Sequence, residues 1–370
     1  MKRYRIIGLA ALVIAVAALT FASLGSAKPA ATMDKVTLQL KWVPQAQFAG
    51  YYAAAAKGYY KQFGLDVTLK PGGPDITPEQ VVASGQAQFG IDWLPSLLAT
   101  RDKGGDIVNI AQVFTRSGMT ELTWKSSGIT TIKKMAGKKV GVWCCGNENE
   151  LFAALVKNGI NPKDSNSVTI VNQPFDMTLF LQKKVDAAAA MTYNELAQVL
   201  ETKNPDTGKP YTLADLNVIT MEKAGTAMLE DGVFAQGAWL KDAKNQDVAK
   251  RFLAASFKGW VYCRDNQQAC VDIVLKNGTL LGKGHQTWQM NEINKLIWPA
   301  PLRGVGVMNP VAYARTAVIS KQFKVIAKAP SGAYRTDLAR AANAMLRKQG
   351  VNTTGLTWKA TVVKVTPGGK

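Results

Sequence analysis

Hydrophobic and polar positions alternate along this chain at two periods. Val36, Leu38 and Leu40 alternate with Thr37 and Gln39, the period-two pattern of a half-buried strand. A break at Trp42-Val43-Pro44 follows. An alanine-rich helical stretch then runs to residue 63, Gly64 stops it, and Val67 and Leu69 mark a second short strand. The same reading predicts strands over residues 36–40, 66–69, 87–91, 107–113, 139–143, 168–171, 187–191 and 218–221. Helices are predicted between them at 46–63, 77–84, 94–103, 149–158, 177–184 and 193–201. This alternation predicts an α/β fold with mostly parallel sheets and helices on both faces. After Gly232 the pattern turns mainly helical, over 238–244, 246–266, 269–276, 285–297, 310–327 and 335–349. The tail 351–370, rich in Thr, Gly and Lys, is expected to be a loose strap or disordered.

Composition adds a size and a compartment. The chain has 370 residues, 47% hydrophobic and 19% charged, which fits a globular protein with room for two cores. Lys2, Arg3 and Arg5 precede an apolar run to Leu24, and Gly25-Ser26-Ala27 offers a small-residue cleavage site, so residues 1–27 read as a secretory signal peptide. A single membrane anchor is the alternative. Export makes the mature chain periplasmic. The net charge of +19 falls by three when those residues are removed. The remaining Lys and Arg are scattered, which argues against a nucleic-acid surface. Export also permits disulfides. Cys263 and Cys270 flank an apparent helix–helix turn and are expected to bridge, closing a short loop worth roughly 2–3 kcal/mol in the entropy model. For the adjacent Cys144 and Cys145, free thiols and a vicinal disulfide are both open.

Candidate chemistry collects where predicted strands end, the place where ligands bind in open α/β sheets. Trp42 closes the first strand. Phe89-Gly90-Ile91 leads into Asp92 and Trp93, a carboxylate and an indole, although Asp92 could equally cap the following helix. Gly141-Val142-Trp143 leads into Cys144-Cys145-Gly146-Asn147-Glu148 and a helix start, whose free N–H groups suit an acceptor. Met191-Thr192 leads into Tyr193 and Glu195; Glu195 could also be a first-turn helix acid favoured by the dipole. No phosphate loop, nucleophile elbow or zinc-ligand pattern is present, and no metal site is expected.

The stretch 36–67 resembles the opening of the periplasmic binding proteins for thiamine pyrimidine precursors. These are ABC-transporter substrate-binding proteins of the SsuA/THI5-like, NMT1-type family, which also contains the fungal pyrimidine synthases. The resemblance continues, more weakly, to about residue 350. It implies a two-lobed periplasmic binding protein type II fold, each lobe a mixed sheet flanked by helices. Lobe one would comprise residues 34–125 and 230–350 and lobe two residues 126–229, with hinge crossovers near 122–125 and 227–234. It implies that lobe one supplies Trp42, Gln47, Tyr51, Asp92, Trp93 and Asp231, and lobe two the loop 143–148, Tyr193 and Glu195. The expected ligand is a planar heterocycle, a hydroxymethylpyrimidine or formylaminopyrimidine, with riboflavin as the alternative. The expected partner is an ABC permease of the inner membrane; a sensory module presenting ligand to a membrane receptor is a further reading. A monomer without cofactor, nucleic acid or catalysis is expected. A sulfonate would want Arg, which the candidate loops lack. An enzyme like the fungal synthases would need iron, pyridoxal phosphate on a Lys and a His. Here Gln47 stands where the family commonly has His, and two Cys stand where its loop has Gly. The single histidine, His285, is read as a surface residue.

Overall fold

Ten strands form two five-stranded sheets in the computed structural model, which describes residues 32–144, 146–278 and 282–370. The expected signal peptide and Cys145 lie outside the described residues. The first sheet joins β1 (Asp34–Gln39), β2 (Leu65–Lys70), β3 (Phe89–Trp93), β4 (Ile107–Gln112) and β10 (Asp231–Gln236) in the order β2-β1-β3-β10-β4. The second joins β5 (Met119–Trp124), β6 (Lys139–Val142), β7 (Thr169–Asn172), β8 (Ala187–Met191) and β9 (Leu216–Thr220) in the order β7-β6-β8-β5-β9.

The two sheets repeat one topology. In the first, β1 pairs parallel with β2 and β3, and β10 runs antiparallel between β3 and β4. In the second, β6 pairs parallel with β7 and β8, and β5 runs antiparallel between β8 and β9. Each antiparallel strand enters from the other lobe's sheet, so β5 and β10 carry the two crossovers. Central strands β3 and β8 are buried at every position, as near-continuous apolar runs of central strands should be. Edge strand β2 alternates exposed positions with buried or half-buried ones, Leu65, Val67 and Leu69.

Helices cover the sheets. The predicted helix 46–63 is divided: a short turn at Ala46–Phe48, a helix Ala49–Ala56 and a second helix Tyr59–Gln62, with Gly58 left-handed at φ 68° between them. The long helix Ala243–Asp265 opens on Asp242, which accepts from the Lys244 amide. It packs so closely on Ala49–Ala56 that a Cβ at Gly50 would lie 2.2 Å from the Trp260 ring. Cys263 and Cys270 form the expected disulfide, with Cα atoms 5.2 Å apart. Among the described residues no helix is long and apolar enough to cross a membrane.

Two buried carboxyl groups tie the crossovers. Glu230 accepts from the amides of Gly118 (2.6 Å) and Met119 (3.2 Å). Glu150, on the helix Asn149–Lys157, accepts from the Met228 amide (2.9 Å) and the Ser117 hydroxyl (2.8 Å). Burial raises the Glu150 carboxyl to about 8.

Glu121, in β5, is fully buried, and neither carboxyl oxygen has a partner. Burial alone pushes its pKa well above the ordinary carboxylate range. The folded state therefore holds this proton more tightly than the unfolded chain. The penalty is smallest in acid and grows as pH rises from the unfolded carboxyl's range toward the folded one. Glu121→Met should stabilise the protein by about 1–3 kcal/mol near neutral pH. Its advantage in melting temperature should widen as pH rises above the ordinary carboxylate range. A variant that melts lower there contradicts this.

Candidate functional site

The carboxyl ends of β1 and β3 face the loops after β6, β7 and β8 across the gap between the lobes. A small chamber of about 40 Å³ lies there. One side presents Trp42, Gln45, Gln47 and Trp93; the other presents Trp143, Asn147, Phe175, Met191, Tyr193, Asn194 and Glu195. The chamber opens toward an outer cleft of about 1380 Å³, and Lys41, Trp42, Asn147 and Phe175 line both spaces. Trp42 and Phe175 meet edge-on between them, with ring centroids 4.3 Å apart. Gly146 also touches the opposite lobe. It sits at φ +108°, its carbonyl accepts from Ser96 Oγ at 3.4 Å, and a Cβ there would lie 2.5 Å from that oxygen.

The lobe-one wall is held by a chain of buried hydrogen bonds. Gln289 Nε2 donates to Gln45 Oε1 (3.1 Å), Gln45 Nε2 to Gln47 Oε1 (2.7 Å), and Gln47 Nε2 to Asp231 Oδ2 (2.9 Å). Trp93 Nε1 donates to the other Asp231 oxygen at 3.0 Å. Asp231 therefore orients an amide and an indole that line the chamber. Burial raises its carboxyl to about 7, against the lowering effects of Gln47, Lys41 and Trp93.

Lys41 follows β1 and is buried in an ion pair with Asp92, at the end of β3. Its ammonium also sits 5.0 Å from the Trp93 ring centroid. Burial disfavours that charge, but Asp92, with Glu79 and Asp231 nearby, more than offsets it and raises the Lys41 pKa. Glu79 is itself buried, and burial and Asp92 push its carboxyl well above the usual range.

On the lobe-two side, Trp143 Nε1 donates to the Pro174 carbonyl at 3.2 Å, which fixes the indole against the loop carrying Phe175. Glu148 accepts from the Gly146 amide (2.8 Å), and Asn147 Nδ2 donates to the Cys144 carbonyl (3.0 Å), so the loop is braced internally. Glu195 accepts from the Met191 amide (2.9 Å) and from Asn194 Nδ2 (2.7 Å). Burial raises its carboxyl to about 7. Flat rings from both lobes with a few placed amides and carboxyls suit a planar, hydrogen-bonding molecule.

The NMT1/THI5 like family model matches residues 45–270, most of the chain that builds both sheets and the chamber. The chain belongs to the NMT1/THI5-like family. Riboflavin-binding protein RibY of Chloroflexus aurantiacus is 26% identical over 266 residues, 70% of each chain. The Saccharomyces cerevisiae 4-amino-5-hydroxymethyl-2-methylpyrimidine phosphate synthase THI11 is 29% identical over 138 residues, 36% of this chain and 40% of the synthase. In fold, the chain is similar to the periplasmic sulfonate-binding protein SsuA of Methylobacillus flagellatus KT, with a TM-score of 0.61 and 16% identity over 90% of this chain and 99% of that one. The fold is the two-lobed periplasmic binding protein fold, a mixed sheet with flanking helices in each lobe.

In this NMT1/THI5-like chain, Trp42, Gln47, Trp93, Trp143, Asn147, Tyr193 and Glu195 come together around the chamber. Asp92, Cys144, Gly146 and Glu148 line the outer cleft instead. Cys144 is disulfide-bonded. Asp231 stands behind the chamber wall. Tyr51 is not brought to it: its ring packs edge-on against Trp260 in the lobe-one core, centroids 5.6 Å apart. His285 is not on the surface. It is 1% exposed, because its face of the helix Lys283–Ile297 meets the lobe-two helix Glu195–Glu201. The tail is not loose at its end: a turn at Pro367–Gly369 packs on both of those helices. Sequence reasoning missed Lys41, Gln45, Phe175, Met191 and Asn194 as lining residues. Lys41 and Gln45 flank the Trp42-Pro44 break, and Phe175 follows Pro174 just past a strand end; those positions were the available signals.

Proposed function

We propose that this is an exported solute-binding protein that captures a planar heterocycle between its lobes and delivers it to an ABC permease without turning it over. The observation that carries the reading is the chamber, where Trp42 and Trp93 of one lobe face Trp143 and Tyr193 of the other among a few fixed polar groups. Hinge closure on such a ligand buries most of its surface against apolar walls. Glu195 lines the chamber and would accept from an exocyclic amine, which favours an aminopyrimidine such as a hydroxymethylpyrimidine or formylaminopyrimidine. A second reading, riboflavin, is favoured by the outer cleft: it continues from the chamber, has about 1380 Å³, and is walled by Thr100, Asn147, Asn149 and Asn161. Those side chains suit a hydroxylated arm. The relatives support both, RibY by its name and the yeast synthases by the pyrimidine in theirs. Gln47 in place of His supports binding rather than synthase chemistry.

The test is tryptophan fluorescence and melting temperature of the mature protein with hydroxymethylpyrimidine, formylaminopyrimidine, thiamine, riboflavin and taurine. One heterocycle should quench saturably and, at a hundredfold its Kd, stabilise the fold by about 2.7 kcal/mol. A response to taurine alone overturns the heterocycle reading.

A further inference from the structure

The buried hydrogen bonds around His285 connect one lobe to the chamber acid of the other. Its Nδ1 lies 2.9 and 3.1 Å from the two carboxyl oxygens of Glu201, and its Nε2 lies 2.8 Å from Asn194 Oδ1. The Asn194 amide is oriented by its other end, since Nδ2 sits 2.7 Å from Glu195 Oε1. Both ring nitrogens therefore face acceptors, and an imidazolium satisfies both because it carries a proton on each. The ring rides on a helix tied to lobe one, where Gln286 and Gln289 each accept from the Ala46 amide at 2.7 Å. That helix also reaches lobe two through Trp288 Nε1, which donates to the Thr192 carbonyl at 2.9 Å.

We propose that His285 is a positioning residue: its Nε2–H orients Asn194 so that the amide donates to Glu195, which favours Glu195 as an ionised acceptor in the chamber while the lobes are together. The assignment of Glu195 to ligand recognition rests on the proposed function; the relay itself does not. The relay has a second arrangement with the same proton count. If Nε2 gives up its proton and Asn194 turns over, Asn194 Nδ2 donates to Nε2. The Asn194 carbonyl then faces Glu195, which takes the proton and donates it back. The ring loses one proton, Glu195 acquires one, and Glu195 changes from acceptor to donor. When higher pH removes that shared proton, the ring keeps one N–H for two acceptors, Glu201 and Asn194, and the contact between lobes weakens.

Burial raises Glu195 to about 7, and the charge on His285 works against that rise. From the helix Glu195–Glu201, the ionisable groups facing the ring are Glu201 and Glu195. From the tail, Gly369 lies against Glu201 and the His285 Cβ, and Lys370 follows it beside Gly284. On the ring's own helix Lys283 is turned to Asp272, 3.1 Å away.

The experiment is NMR on the ligand-free mature chain. With a single histidine, the ring ¹⁵N signals need no assignment, and the Glu195 carboxyl ¹³C is identified by its loss in Glu195→Gln. The expected result is a ring that carries its proton on Nε2 wherever Glu195 is ionised, with Glu195 titrating near 7. His285→Gln, and separately Asn194→Leu, should each raise the Glu195 midpoint by about one unit, a tenfold change in its proton affinity. A ring without a proton on Nε2 while Glu195 is ionised overturns the proposal. So does an unmoved Glu195 midpoint in a folded variant. Because no ligand is present, failure of every heterocycle to bind would leave this result standing.

Discussion

Asp92→Ala should destabilise the protein by about 3 kcal/mol, the low end of the range for breaking a buried ion pair from one side. Lys41 and Asp92 have side chains only 10% and 7% exposed. Removing the carboxylate leaves a nearly buried ammonium without its partner. Glu79 stands close by with one unpartnered carboxyl oxygen, and its partial compensation keeps the loss from the upper end. The double variant Lys41→Met/Asp92→Leu removes both charges and should recover most of the loss, since paired burial of charge is weak stabilisation compared with apolar packing. Denaturant midpoints of the two variants and the parent decide this. A single variant within about 0.5 kcal/mol of the parent would show the pair to be solvated.

Trp143→Ala should weaken binding of the cognate heterocycle by about 1–3 kcal/mol, roughly 5- to 150-fold in Kd. The indole lines the chamber and is oriented by its hydrogen bond to Pro174. A bound ring would lose one of its flat faces; the indole is also buried in the core, so the melting temperature of the variant is read beside its Kd. Trp124→Phe is the control. Trp124 stacks on Phe180 within lobe two, centroids 4.6 Å apart, away from the cleft, and its change should leave Kd unmoved. Titration calorimetry with the responding ligand measures both. Unchanged affinity in a folded Trp143→Ala protein would remove the indole from the site.

The alternation of short apolar runs with helical stretches made the two-sheet α/β architecture readable. It did so because central strands such as β3 and β8 are buried on both faces and therefore carry dense, local apolar signals. Trp93 and Trp143 were readable for the same reason: each terminates or follows such a strand. What could not be read depends on partners distant in sequence. Lys41 looks like a solvated charge until Asp92, 51 positions on, is placed beside it. Tyr51, four positions after Gln47, was expected on the cleft face. Gly50 lets its helix lie directly on Trp260, and Tyr51 packs against that ring. His285 stands among polar residues, Lys283, Gln286 and Thr287, with no local sign that a second lobe covers it. The helix break at Gly58 was visible as a glycine, but a helix interior tolerates one at a cost of about 1 kcal/mol, so the residue alone did not decide the matter.

The most direct test of a carrier that binds and does not react is equilibrium dialysis of the mature protein against a mixture of hydroxymethylpyrimidine, formylaminopyrimidine and riboflavin. Native mass spectrometry of the complex and chemical recovery of the bound molecule would follow. The account predicts one heterocycle per chain, displaced by excess of the same compound and recovered unchanged. A chain that retains none of them, or that releases a chemically altered product, would contradict it.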